Sequence, residues 1–379
     1  MRPFDLLCLT PHLWVDRVRR LQHLLRVAAR NHRVVVVEQA ANLTEDTPLL
    51  ACPSLAPDKV RVFRPADRYW SSGSTRMRTS LRSILGSVDR EGLVMWVDDP
   101  RVLPLVPSDP AITLVCDLEN PLATGARLLS RADLLITEGA SGFQASRHLH
   151  PRACLFPHAA DVEHFAGARK RHQDPADQAR IPFPRVGFWG TVNDRIDFAL
   201  LDAVAARLPA VQFVMVGPLE RSSRERMTPR GNIHWLGDRP YADLPAYAAG
   251  WDAAILPFAR NEATAFHSPP QIPEFLAAGR VIVSTGLRDV IQPYGASGLV
   301  RVADTAEGFA SAIEAARQGR SAEWLATVDR YLQALSWQAS WEGIEHLINT
   351  VIEQRRAPAP VERRARYTPG IHPVVSLVH

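Results

Sequence analysis

The sequence predicts an α/β chain of two doubly wound, Rossmann-like parallel-sheet domains facing each other across a cleft. Three observations predict it. At 379 residues the chain is too long for one ordinary core and fits two domains of roughly 150–200 residues. Short β-branched runs alternate with segments of helical period, as a parallel sheet with crossover helices requires. The alternation is broken once, at 166–184, by a polar stretch with no apolar period, and then restarts.

The elements follow in order. Phe4–Thr10 reads as a buried strand that Pro11 ends. Trp14–Arg30 carries apolar residues at helical spacing. Arg33–Glu38 holds four consecutive valines, as a strand buried on both faces would. Further strands read at Leu93–Val97, Ile112–Cys116 and Asp133–Thr137, with helices near Arg76–Leu85 and Ser141–Leu149. Beyond the polar stretch, Val186–Gly190 is a strand running into a glycine turn. Strands at Val211–Gly217, Ile233–Gly237, Asp252–Phe258, Val281–Thr285 and Leu299–Val302 alternate with helices near Phe198–Leu208, Tyr241–Ala249, Gln271–Ala278 and Thr305–Arg317. Helices at Trp324–Ala334 and Trp341–Glu353 complete the pattern. The expected organisation is an N-terminal domain over 1–165, a linker over 166–184 and a C-terminal domain over 185–335. A helix over 336–355 should pack back on the first domain, and a Pro- and Arg-rich tail over 356–379 should be flexible.

Composition narrows the function classes. Hydrophobic content of 46% and charged content of 22% are globular. No stretch reaches about 18 uninterrupted apolar residues, so no transmembrane helix is expected. The N-terminus lacks a secretory pattern. Cys8, Cys52, Cys116 and Cys154 have no close pairing, so neither a zinc site nor a disulfide framework is indicated, and a cytoplasmic protein is expected. The net charge of +4 is uneven: residues 1–82 carry 14 Lys/Arg against 7 Asp/Glu, a surplus of +7. Lys59 and Lys170 are the only lysines, so the surplus is arginine. This is less basic than a whole-protein nucleic-acid binder, and no nucleic-acid partner is expected. The basic N-terminal part has two readings. It is a solvated face of an arginine-rich chain, or it makes peripheral contact with an anionic membrane at its inner face.

In doubly wound sheets ligands sit beyond the carboxyl ends of the strands, so the turns after strands are the candidates. The segment 261–279 stands out. A strand ends at Phe258, a polar loop follows, a helix begins near Pro270–Gln271 and Gly279 stops it. A helix N-terminus after a strand suits an anion. Glu274, in its first turn, could accept hydrogen bonds from a ribose diol, or could simply be a favourable first-turn acid. The pairs Asp98-Asp99, Asp117/Glu119 and Asp161/Glu163 superficially suggest metal ligands, but such spacings are frequent by chance and no metal is expected. No P-loop, H-E-x-x-H or G-x-S-x-G motif is present.

Ser268-Pro-Pro-Gln-Ile-Pro-Glu-Phe-Leu-Ala-Ala-Gly-Arg-Val-Ile-Val-Ser-Thr285 resembles the S-P-x-K-x-x-E-Y-x-A-A-G-x-P-V-V-S-T motif of bacterial GT-B glycosyltransferases, family 4-like. Asn232–Gly237 with Tyr241–Tyr247, Trp251–Phe258, Arg20–Leu25, Phe156–Asp161 and Ser336-Trp337 are similar to further stretches of that group. The resemblance spans most of 4–350 and is most specific in the second domain.

It implies a GT-B architecture and a retaining glycosyltransferase that uses no metal or cofactor. A sugar would move from a nucleotide-sugar, UDP- or GDP-linked, to a saccharide, lipid-linked or small-molecule acceptor. Carried over by position, Glu274 would bind the ribose, and Ser268 with the helix start at Gln271 would face the diphosphate. Gly190 and Thr191 would approach phosphates or sugar, and the base would lie by His234–Gly237. Arg195, Asn261, Thr264 and His267 complete the expected donor set. On the acceptor side stand His12, as the catalytic candidate, and Trp14, Arg20 and His23. Two departures from the pattern matter. Phe266 stands where many of these enzymes have a sugar-contacting glutamate, and Gln271 stands where lysine is usual. They keep a non-catalytic binding descendant open. An epimerase on the same fold is a further alternative, although no acid/base set for it can be identified.

Overall fold

The computed structural model describes residues 4–12, 14, 19–38, 50–52, 60–64, 92–124, 129–170 and 173–356. The expected helix at Arg76–Leu85 and the tail beyond Arg356 lie outside them. The chain divides into two compact units. The first comprises 1–138, 142–156 and 337–379, and the second 139–141 and 157–336.

The first unit is built on an eight-stranded sheet. Its strands are β1 (Asp5–Thr10), β2 (Arg33–Glu38), β3 (Leu50–Cys52), β4 (Val60–Arg64), β5 (Val94–Val97), β6 (Thr113–Asp117), β7 (Leu134–Thr137) and β8 (Ala153–Leu155), in the order β3-β4-β2-β1-β5-β6-β7-β8. All pairings are parallel except β3 with β4, so the expected all-parallel sheet carries one antiparallel edge strand. Alternate residues of one strand feed two cores, because side chains alternate faces. Leu6, Cys8, Val34, Val36, Val94 and Trp96 belong to one cluster, and Leu7, Leu9, Val35, Val37, Met95 and Val97 to the other. This double burial is why β1, β2 and β5 read as unbroken apolar runs.

Helix α1 (Arg20–Ala28) covers the first of these faces with Leu21, Leu24, Leu25 and Val27. It begins six residues later than the periodicity from Trp14 suggests, because Arg19 is extended (φ −117°, ψ 165°). Helix α2 (Ala140–Ser146) follows β7. The last helix, Trp337–Arg356, returns to the first unit and adds Trp341, Ile344 and Ile348 to the α1-side core. His32 ties it down. Phe4 N donates to His32 Nδ1 at 3.2 Å, so Nε2 carries the proton and donates to Glu345 Oε1 at 2.8 Å.

The second unit has six parallel strands: β9 (Arg185–Trp189), β10 (Gln212–Val216), β11 (Ile233–Gly237), β12 (Ala253–Leu256), β13 (Ile282–Ser284) and β14 (Val300–Val302). Their order is β11-β10-β9-β12-β13-β14, the 3-2-1-4-5-6 arrangement of a dinucleotide-binding fold. The order reverses between β9 and β12, which marks their carboxyl ends as the ligand end. Helices α3 (Val162–Ala166), α4 (Phe198–Arg207), α5 (Leu244–Ala249), α6 (Gln271–Ala277), α7 (Ala306–Arg317) and α8 (Ala322–Gln333) accompany the sheet.

The stretch 166–184 is not a linker between the units: it lies inside the second. Gln178 is fully buried, donating to Tyr247 O at 3.0 Å and accepting from Trp251 Nε1 at 2.8 Å. Asp174 pairs with Arg185 at 2.7 Å and Asp177 with Arg239 at 2.6 Å. Its polar side chains are there to satisfy buried partners, which is why it shows no apolar period.

Candidate functional site

In the second unit, β9, β10 and β11 each terminate at a glycine of positive φ: Gly190 (141°), Gly217 (137°) and Gly237 (75°). They are stitched together, Gly190 N donating to Val216 O at 2.9 Å and Gly217 N to Gly237 O at 2.8 Å. A Cβ on Gly217 would lie 1.9 Å from Gly190 O, and one on Gly190 would lie 2.6 Å from Gln271 Nε2. Backbone and the α6 start therefore meet here at a separation that only glycine permits.

Helix α6 starts beside these glycines. Gln271 Nε2 donates to Trp189 O at 3.2 Å, while its buried Oε1 has no partner. One turn on, Glu274 Oε2 accepts from Trp189 Nε1 at 2.8 Å. Burial pushes the Glu274 carboxyl up to about 8, against the lowering effect of that indole bond. One indole N–H cannot replace the water a carboxylate loses, so the group favours its protonated form until further donors arrive. Trp189 escaped the sequence reading. Its only signal was general: a buried indole N–H usually finds an acceptor.

The remaining donor-side candidates divide. Arg195 Nη1 donates to His267 Nδ1 at 3.3 Å, and His267 sits edge-on to Phe258 just past β12. Ser268 is buried immediately before α6, and half-buried Thr191 follows Gly190. These belong to the same strand ends as Glu274. Asn261 and Thr264 instead cap each other's turn: Asn261 N donates to Thr264 Oγ1 at 3.2 Å, and that hydroxyl donates to the Ala259 carbonyl. They shape the loop. His234 is not with the group either. It is the second residue of β11, towards the strand's opposite end from Gly237, and its Nε2 pairs with Gln212 Oε1 at 2.8 Å.

In the first unit the strand order reverses about β1 and β5, and charged side chains gather at their carboxyl ends. Thr10 Oγ1 donates to Asp98 Oδ2 at 2.9 Å and accepts from His12 N at 3.2 Å. Burial raises Asp98 to about 7, helped by Asp117 and Asp99. Burial, then Arg19, lowers His12 to about 4, so its imidazole is neutral at pH 7. Asp99 is held by a bidentate pair with Arg101. Buried Arg20 lies 3.3 Å from Asp117 and 3.9 Å from Glu138, at the ends of β6 and β7.

Two acceptor-side candidates are engaged elsewhere in the first unit. Trp14 is 5% exposed and belongs to the core, its amide donating to Glu38 Oε2. His23 stacks flat on Trp337 of the last helix (4.8 Å, 2°), so it secures that helix. Among the described residues no group of three or more His, Cys, Asp or Glu side chains could hold a metal.

No family model matches the chain. A curated relative, the putative teichuronic acid biosynthesis glycosyltransferase TuaH of Bacillus subtilis (strain 168), is 29% identical over 105 residues. That match spans 27% of this chain and about a quarter (26%) of the relative's length. Solved structures match nearly end to end. The sucrose-phosphate synthase of Thermosynechococcus elongatus covers 92% of this chain and 100% of its own, with a TM-score of 0.69 and 13% identity. A glycosyltransferase from Rickettsia africae ESF-5 gives 0.69, 12% identity, and 93% and 100% coverage. The E. coli trehalose-6-phosphate protein bound with UDP-2-fluoro glucose gives 0.67, 12% identity, and 91% and 99% coverage.

The class these likenesses define is the GT-B fold, and the solved relatives are GT-B glycosyltransferases, as the resemblance of residues 268–285 implies. At these identities the structures speak to the fold alone.

Proposed function

We propose that the chain is a retaining glycosyltransferase that takes a UDP- or GDP-sugar on its second unit and a saccharide or lipid-linked acceptor on its first. The single observation that carries this reading is Glu274. It is a carboxyl held by Trp189 at the start of α6, beside three glycine-ended strands, and it lacks the donors that would favour its charge. A ribose diol supplies two hydroxyl donors. The glycine ends allow phosphates close to the backbone, and Arg195, bonded to His267 just past β12, supplies a cation. No metal is needed in this reading, because arginine meets the diphosphate charge as the glycosidic bond breaks. In the proposed step the anomeric carbon–oxygen bond to the diphosphate breaks. The acceptor oxygen bonds on the same face, and its proton passes to the leaving phosphate. Neutral His12 and the Thr10–Asp98 pair orient acceptor hydroxyls.

That no helix among the described residues is long and apolar enough to cross a membrane fits a cytoplasmic enzyme, with peripheral contact through its basic N-terminal part. A second reading, nucleotide-sugar binding without turnover, is favoured by Phe266 and Gln271. Incubation with labelled UDP- and GDP-sugars and an acceptor panel tests both. Release of nucleoside diphosphate with an α-linked product from an α-linked donor is expected. Tight binding without product would leave only the second reading, and inversion at the anomeric carbon would refute retention.

A further inference from the structure

A cavity of about 310 Å³ opens at the other end of the second unit's sheet, where the strands begin. Its wall includes Gly250 and Trp251 before β12, Gly279 and Arg280 before β13, and Arg317 and Arg320 at the close of α7. Nothing in the donor reading uses it.

Part of what its arginines do is local. Arg280 donates to the carbonyls of Trp251 at 2.6 Å, Ala168 at 2.9 Å and Ala278 at 3.2 Å. Arg320 Nη1 donates to Gly279 O at 2.8 Å, and neighbouring Arg169 donates to Ala277 O at 2.7 Å. The bonds to Ala277, Ala278 and Gly279 satisfy carbonyls at the end of α6, and those to Trp251 and Ala168 tie neighbouring turns to it. They do not balance the charge. Arg169 pairs with Asp329 and Arg317 with Glu314. Among the described residues, neither Arg280 nor Arg320 has a carboxylate within ion-pair distance. Asp252, also on the wall, accepts from Arg185 N at 2.8 Å. Burial, and then Arg320, pushes Arg280 down to about 10, with Asp252 opposing. Burial, and then Arg169, lowers Arg320. Arg317 Nε is buried with no partner. Like charges held this close raise the energy of the empty site, and an anion would relieve it.

We propose that this cavity binds a small phosphorylated solute, whose phosphate is gripped by the guanidinium forks of Arg280, Arg317 and Arg320. A guanidinium carries five N–H donors in a plane, so the capping bonds leave donors for a tetrahedral anion. The volume is at the lower end for small-molecule sites, about 300–1,000 Å³, and exceeds what one phosphate fills. Phe183 on the wall is 61% exposed; the Arg185 guanidinium covers one face of its ring at 4.0 Å, and the other face is left for the remainder of the ligand.

Hydrogen exchange on the full chain with inorganic phosphate and pyrophosphate tests this. The expected result is protection of 249–252, 279–281 and 317–320, beyond that given by chloride at equal ionic strength. Arg320→Gln should weaken the effect at least about tenfold and Arg320→Lys less, because Lys keeps the charge and loses the fork. Should Arg320→Gln not fold, Arg317→Gln, which keeps every α6 cap, decides by the same measure. No protection of these segments, or undiminished protection in a folded Gln variant, overturns the site. Protection by phosphatidate-containing phosphatidylcholine vesicles but by neither soluble anion overturns the assignment to a solute.

Discussion

The two units carry the same kind of sheet and finish it differently. In the second, three adjacent strands end in positive-φ glycines, and the Glu274 carboxyl beside them has one indole as its hydrogen-bond donor. In the first, the strand ends carry Thr10, Asp98, Asp99 and Asp117, engaged by Arg20, Arg101 and one another. Bare backbone suits a ligand that brings its own charge. A rim of side chains suits a neutral, hydroxyl-rich one. The difference teaches that fold alone does not distribute the work: what stands at the carboxyl ends does.

The comparison can be broken most forcefully at Gly217. Alanine there meets Gly190 O and a strained φ, and should cost about 3 kcal/mol or more in urea denaturation. Alanine at Asp98 should cost less, so equal losses would mean that the glycine rim is no more constrained than the charged one. Next is Glu274→Ala, which should weaken nucleoside diphosphate binding about 10- to 100-fold by calorimetry, as removal of charged-group hydrogen bonds does. His12→Ala should leave that affinity unchanged.

Acidity gives a third test. Glu274 and Asp98 have folded pKa values near 8 and 7, above their ordinary 4.5 and 3.8. Below the ordinary values both forms of the protein bind the proton and neither group costs stability. As pH rises towards the folded value only the folded state keeps it, so stability falls and then levels. Asp98→Asn should remove the loss between about pH 4 and 7, and Glu274→Gln the loss between about 4.5 and 8. Denaturation midpoints across pH 4–9 check both. The smallest effect is expected from Gln271→Lys, which should raise diphosphate affinity about threefold at low salt and little at high salt.

Much of the second unit was legible in the sequence because its signals are local. The apolar runs of β10, β12 and β13, the helix start at Gln271 and the stop at Gly279 each need only neighbours to be read. What escaped depends on distant partners. Trp189 and Glu274 are 85 residues apart, and nothing near either announces the bond. The polar side chains of 174–178 looked like a linker because their partners, Arg185, Arg239 and Trp251, come later in the chain. Strands β3, β4 and β8 went unread, whereas β13 and β14, no longer than β3 and β8, were legible because apolar residues flank them at Val281 and Leu299. Trp14 read as an acceptor-side residue because the sequence cannot show that its ring is inside the core. His234 resembled a base contact by motif, yet strand register puts it towards the opposite end of β11 from Gly237.

The last helix has a further consequence, for the order of synthesis. Trp341, Ile344 and Ile348 complete the core of the unit the ribosome begins first. Residues 157–336 can assemble as they emerge, but the first sheet waits for a segment about 300 residues downstream of β2 before its α1-side face is closed. The nascent N-terminal half is therefore the species a chaperone would meet, and a chain cut at 336 should keep the second unit while leaving the first open.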